Sequence, residues 1–101
     1  MVQYPIRVSG ESYRGTNARK KSKAAQTNLI ARELETFINE KLKAQEEPIY
    51  SYSYHEVSGQ TGIPLEMVEK LCFSIDCGSG GFTAIKHGLT YEQAMKQYEG
   101  A

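Results

Sequence analysis

The sequence predicts a single α+β domain in which helix predominates, and three observations carry that prediction. From about Lys23 to Ala44, the apolar residues Ile30, Leu34, Phe37, Ile38 and Leu42 recur at helical spacing and mark one long amphipathic helix. The stretch YHEVSGQTGIPLEMVEKL, Tyr54 to Leu71, reads as two short helices hinged on Gly62. Beyond it, FSIDCGSGGFTAIKHG holds two β-prone runs around four small, turn-forming residues, the pattern of a hairpin. A chain of 101 residues, 40% apolar and 24% charged, is one domain with room for a modest core.

Each element has its own local reason. In VQYPIRV, Val2, Tyr4, Ile6 and Val8 alternate with Gln3, Pro5 and Arg7, which predicts a half-buried strand. Pro5 cannot donate to a ladder, so this strand belongs at an edge or in an arm. Such an edge is open to pairing with a second copy of the chain, the basis for expecting a homodimer. SGESYRGTNARKKSK, rich in Gly, Ser and positive charge, reads as a flexible loop. The chain therefore divides into an N-terminal strand with a basic arm, residues 1–24, and a folded domain, residues 25–101. Pro48 ends the long helix.

PIYSYSY follows as a short strand or extended lead-in. Ser53 with Glu56 three residues on is a capping box that opens a helix from Tyr54 to about Gln60. Pro64 suits the first turn of the next helix, where its missing amide costs nothing. That helix runs through Leu65, Val68, Leu71 and Cys72 to about Phe73. Thr90 with Gln93 caps a final helix over about Tyr91–Tyr98.

Composition narrows the function classes. No apolar run approaches the roughly 20 residues that span a bilayer. MVQYPIRVSGESYRG lacks the apolar block of a secretory signal, so the cytoplasm is the expected compartment. Cys72 and Cys77, five apart, fit neither a disulfide framework nor the paired steps of a zinc module, and His55 and His87 are the only histidines. Neither metal nor cofactor is expected. Phe82 and Thr83 follow GSGG where a phosphate-binding loop needs Lys and then Ser or Thr. The two histidines lie in no recognisable nucleophile motif, and no catalytic constellation appears, so no enzymatic activity is expected.

The formal net charge is zero, but it is unevenly placed. Residues 1–25 hold six basic residues and one acid, a net +5; residues 26–101 hold six basic and eleven acidic, a net −5. A basic arm on an acidic body keeps nucleic acid within reach despite the neutral total.

The order of helix, lead-in strand, two tight helices, Gly-rich hairpin and short helix resembles the winged helix-turn-helix family of DNA-binding regulators. The likeness covers about residues 25–98 by element order and Tyr54–Leu71 by motif. Gly62 sits at the turn, and Ser58, four residues earlier, is small where the family more often has Ala. Val57 and Ile63 frame the turn, while Val68 and Leu71, six and nine residues after Gly62, point into the core. The resemblance implies a small β-hairpin wing, double-stranded DNA as partner and no membrane.

In that family the exposed early positions of the second helix meet base edges. Here they are Leu65, Glu66, Glu69 and Lys70, with Thr61 beside the turn as a donor to phosphate. A Glu accepts from cytosine, but two carboxylates near phosphates are repelled. The gripping residues are therefore expected in the arm: Arg14, Arg19, Lys20, Lys21 and Lys23, joined by Lys86 on the wing. Five phosphate contacts would give a log–log salt slope of about −4 to −5. The expected function is a DNA-binding transcriptional regulator of bacterial or phage type. The alternative is a protein–protein interaction module that keeps the fold and does not bind DNA. Its support is the acidic second helix, the net −5 body and the tyrosines of PIYSYSY.

Overall fold

The computed structural model describes residues 2–10, 15–72 and 80–99. In chain order they form β1 (Val2–Gln3), α1 (Ala18–Ala44), β2 (Ile49–Ser53), α2 (Tyr54–Thr61), α3 (Leu65–Cys72), β3 (Gly81–Ile85) and α4 (Tyr91–Glu99). The class is α+β and mainly helical, as the periodicity predicts.

α1 starts five residues before the expected point. Asn17 is extended, and its side-chain oxygen accepts from the amides of Arg19 (3.0 Å) and Lys20 (3.3 Å), a side-chain N-cap. Ala18, Arg19, Lys20 and Lys21 are strong helix formers, so the helix propagates from that cap at once. The basic residues from Arg19 to Lys23, expected in a flexible arm, are instead the opening turns of α1; Arg14 lies outside the described residues. Ala24, Thr27, Ala31, Leu34, Ile38 and Leu42 make the buried stripe. Ile30 and Phe37 flank it, half-buried against the core.

The sheet has strand order β1-β3-β2. β2 and β3 are antiparallel, with Tyr52 opposite Phe82 and Ser53 opposite Gly81. β1 runs parallel to β3, Val2 facing Ala84. The expected hairpin strand before Gly78 and the first half of GSGG lie outside the described residues.

β1 sits at the sheet edge, as Pro5 requires, but it is far shorter than the alternation suggests. After Gln3 the backbone leaves the sheet and lies along α1. There the Ile6 amide donates to Asn39 Oδ1 (2.8 Å), Asn39 Nδ2 donates to the Ile6 carbonyl (3.1 Å), and the Val8 amide donates to Glu35 Oε1 (3.0 Å). Ile6 and Val8 are buried, so the alternation was a sign of one face turned inward. The partner, however, is a helix whose side chains do the work of a neighbouring strand. The polar groups of Ile6 are thereby taken, which removes them from the edge pairing invoked for a dimer.

The core joins α1 to the C-terminal half. Leu34, Ile38 and Leu42 pack with Val57, Val68, Cys72, Phe82 and Ala84. Tyr52 stacks on Phe82 with ring centroids 5.2 Å apart, and Tyr54 lies 6.2 Å from the same ring. Thr90 and Gln93 exchange both capping-box bonds, at 3.0 and 3.2 Å, and so start α4 where expected. Among the described residues no helix is long and apolar enough to cross a membrane.

Candidate nucleic-acid interface

The α2–α3 unit is fixed by side chains of its own. Ser53 caps α2, its hydroxyl accepting from the Glu56 amide at 3.1 Å. At the far end Gly62 adopts φ 76°, ψ 3°, the left-handed conformation that costs Gly least. Its amide donates to the Ser58 carbonyl at 2.9 Å. The Ser58 hydroxyl donates to the Ile63 carbonyl (2.6 Å), and the Thr61 hydroxyl donates to the Val57 carbonyl (2.7 Å) while accepting from the Ile63 amide (3.2 Å). Two hydroxyls thus bind the reversing chain, and Ser58 has a task that an Ala there could not perform. Pro64 then starts α3, its carbonyl accepting from the amides of Met67 (3.0 Å) and Val68 (3.1 Å). Val57, Ile63, Val68 and Leu71 are buried, as their spacing about Gly62 predicts.

The expected contact residues fall into separate groups. Glu66, Glu69 and Lys70 are exposed together on α3, where the two carboxylates outnumber the one ammonium. Leu65 is half-buried and packs in part against the core, so it offers less surface to a base edge than an exposed position would. Thr61 departs from the expectation, because the turn already uses its hydroxyl proton. Arg19, Lys20, Lys21 and Lys23 are all exposed on the opening turns of α1. Lys86 is half-buried just past β3, its amide donating to the Pro48 carbonyl (2.9 Å) and its carbonyl accepting from Gln3 Nε2 (2.9 Å).

The start of α1 has an electrostatic character of its own. Its first turn has no acidic residue, and four cations crowd the end of the helix dipole that is already positive. Such a terminus is raised in energy by itself and lowered by an anion. Asn17, at the same terminus, spends its side-chain oxygen on the cap.

A second cluster escaped the sequence reading. Gln45, buried at the end of α1, donates from Nε2 to the carbonyls of Glu47 (2.8 Å) and Ala84 (3.1 Å), and its Oε1 accepts from the Tyr52 hydroxyl (3.1 Å). Beside it a cavity of about 330 Å³ is lined by Glu46, Glu47, Glu56, Tyr50, Tyr52 and Lys41. Burial, reinforced by Tyr50, Glu47 and Glu56, pushes the Tyr52 phenol up to about 12. The Cys72 thiol, buried in the core, is pushed up to about 11 by burial alone. The local signal for this cluster was the run QEEPIYSY, in which acids and aromatics adjoin a helix end. No family model, curated protein or solved structure matches the chain.

Proposed function

We propose that the protein is a DNA-binding transcriptional regulator with a winged helix-turn-helix fold, its affinity coming chiefly from the basic start of α1. The observation that carries this reading is the cluster of Arg19, Lys20, Lys21 and Lys23, exposed at a helix N-terminus. There the backbone dipole and four side-chain charges act with one sign on a phosphate backbone. The turn at Gly62 supports the second part, since a left-handed glycine flanked by buried residues between two short helices is what a helix-turn-helix needs. Glu66 and Glu69 on α3 favour a modest contribution from that helix, limited to cytosine amino groups or to register on the duplex. Arg14, if it joins the cluster, adds one more phosphate contact.

A mobility-shift or anisotropy titration on duplex DNA at two salt concentrations tests the reading. Replacing Arg19, Lys20 and Lys21 together with Ala is expected to weaken binding at least tenfold at about 0.1 M salt and to flatten the log–log salt slope by roughly 2–3. Unchanged binding in that variant would remove α1 as the source of affinity. Absence of any DNA binding by the parent chain at this salt would favour the protein-interaction module, a reading that the exposed carboxylates of α3 independently support.

A further inference from the structure

The basic start of α1 and an acidic cluster just past its C-terminus lie toward one side of the helix. Lys23, Ile30, Phe37 and Ala44 recur at intervals of seven, and Arg19 and Lys41 share that side at helical spacing. Ile30 and Phe37 supply half-buried apolar surface at its middle, with the Lys41 ammonium 5.5 Å from the Phe37 ring centre. At its C-terminal end this side runs into the cavity bounded by Glu46, Glu47, Glu56, Tyr50 and Tyr52, with Lys41 at its margin held over the Phe37 ring. The rings of Tyr50 and Tyr52 meet edge to face, 4.7 Å between centroids. Three carboxylates against the one Lys41 ammonium, beside two phenol rings, leave surroundings suited to a further guanidinium or ammonium, by charge and by cation–π attraction.

The chain owns such groups in Arg19 and Lys23, but they cannot enter their own cavity. α1 is a continuous helix of 27 residues, a rod about 40 Å long that keeps its ends apart. A second copy has no such restriction. The midpoint between Ile30 and Phe37 lies about 16 Å from Lys23 in one direction and about 16 Å from Ala44, just before Glu46 and Glu47, in the other. Two α1 helices laid antiparallel about that point therefore match basic end to acidic end twice, with the apolar pair across the axis. We propose that this side of α1 is a two-fold self-association surface, on which Arg19 and Lys23 of each copy enter the Glu46–Glu47–Tyr50 cavity of the other. Each contact then sets two cations of one copy against the carboxylates of Glu46, Glu47 and Glu56 of the other. An isologous contact of this kind closes at two subunits.

The proposal does not rest on the nucleic-acid reading: it is measured with no DNA present, and self-association and DNA compete for Arg19 and Lys23. Sedimentation equilibrium at protein concentrations up to roughly 0.1 mM is expected to show a dimer at about 0.05 M salt that weakens at least tenfold at about 0.5 M. Arg19→Glu with Lys23→Glu in one variant, and Glu46→Lys with Glu47→Lys in another, are each expected to sediment as monomers. All four positions are exposed, so circular dichroism of each variant should match the parent. An equimolar mixture of the two should recover the dimer, because both ends of the mixed pair then oppose unlike charges. Should a reversal lose helix signal, Arg19→Gln with Lys23→Gln is expected to weaken the dimer at least threefold. A monomeric parent at low salt, a mixture that stays monomeric, or growth past the dimer into head-to-tail chains would each overturn the proposal.

Discussion

Gly62 and Gly59, three residues apart, meet opposite demands. Gly62 sits at φ 76°, where any Cβ is strained, whereas Gly59 lies in the ordinary helical turn before it, with nothing within 4 Å of an added Cβ. Gly62→Ala is expected to cost about 1–2 kcal/mol and Gly59→Ala to add roughly 0.5–1 kcal/mol. Urea unfolding of the two variants reads both signs. Cys72 and Tyr52 are expected to weaken the fold at alkaline pH. Each is an acid whose proton is held more tightly in the folded state, so stability is level while both states are protonated and falls once only the unfolded chain ionises. For Cys72 that fall runs from about pH 9 to about 11, and for Tyr52 from about 10 to about 12. Ionisation would also deprive the Tyr52 hydroxyl of the proton it donates to Gln45. The melting temperature is expected to be flat up to about pH 9 and to fall steadily above it.

α1 is the element whose two ends were hardest to read. Its middle was plain, because Leu34, Ile38 and Leu42 fall at helical spacing and are buried as that spacing requires. Its start was present in the letters, as Asn17 followed by four good helix formers, yet the density of charge read as a loop. The penalty that such charge imposes on a helix start is testable. Lys21→Glu is expected to stabilise the protein by about 0.3–1 kcal/mol while weakening DNA binding, two effects of opposite sign from one change. Thermal melts and the DNA titration, run on the same sample, check both. The α2–α3 unit was legible for a different reason: Gly62 and its apolar neighbours act within a few residues of one another. Gln45 and Asn39 were not legible, since their partners, Ala84 and Ile6, lie 39 and 33 residues away. Nothing local marks a side-chain amide as the hydrogen-bond partner of a distant backbone. The cavity likewise draws on the end of α1, on β2 and on α2, and no single segment announces it.

At the scale of the whole molecule, the first and last thirds of the chain are sewn together. β1 pairs with β3 at residues 84 and 85, and Gln3 reaches the Lys86 carbonyl at 2.9 Å. Between that sheet edge and α1, the backbone from Ile6 to Val8 is held by amide and carboxylate side chains, with Ile6 and Val8 as its apolar anchors. Physically this is a bound peptide that happens to be covalently tethered, and its retention is a matter of effective concentration. It is expected to detach and rebind as a unit while the rest of the molecule stays folded. Hydrogen exchange separates the two levels: Asn39→Ala is expected to speed exchange at the Ile6 and Val8 amides by roughly tenfold or more and to leave Leu34 and Leu42 nearly unchanged. Native opening of this protein would then begin at its first residues, as the unlatching of a ligand from its own receptor.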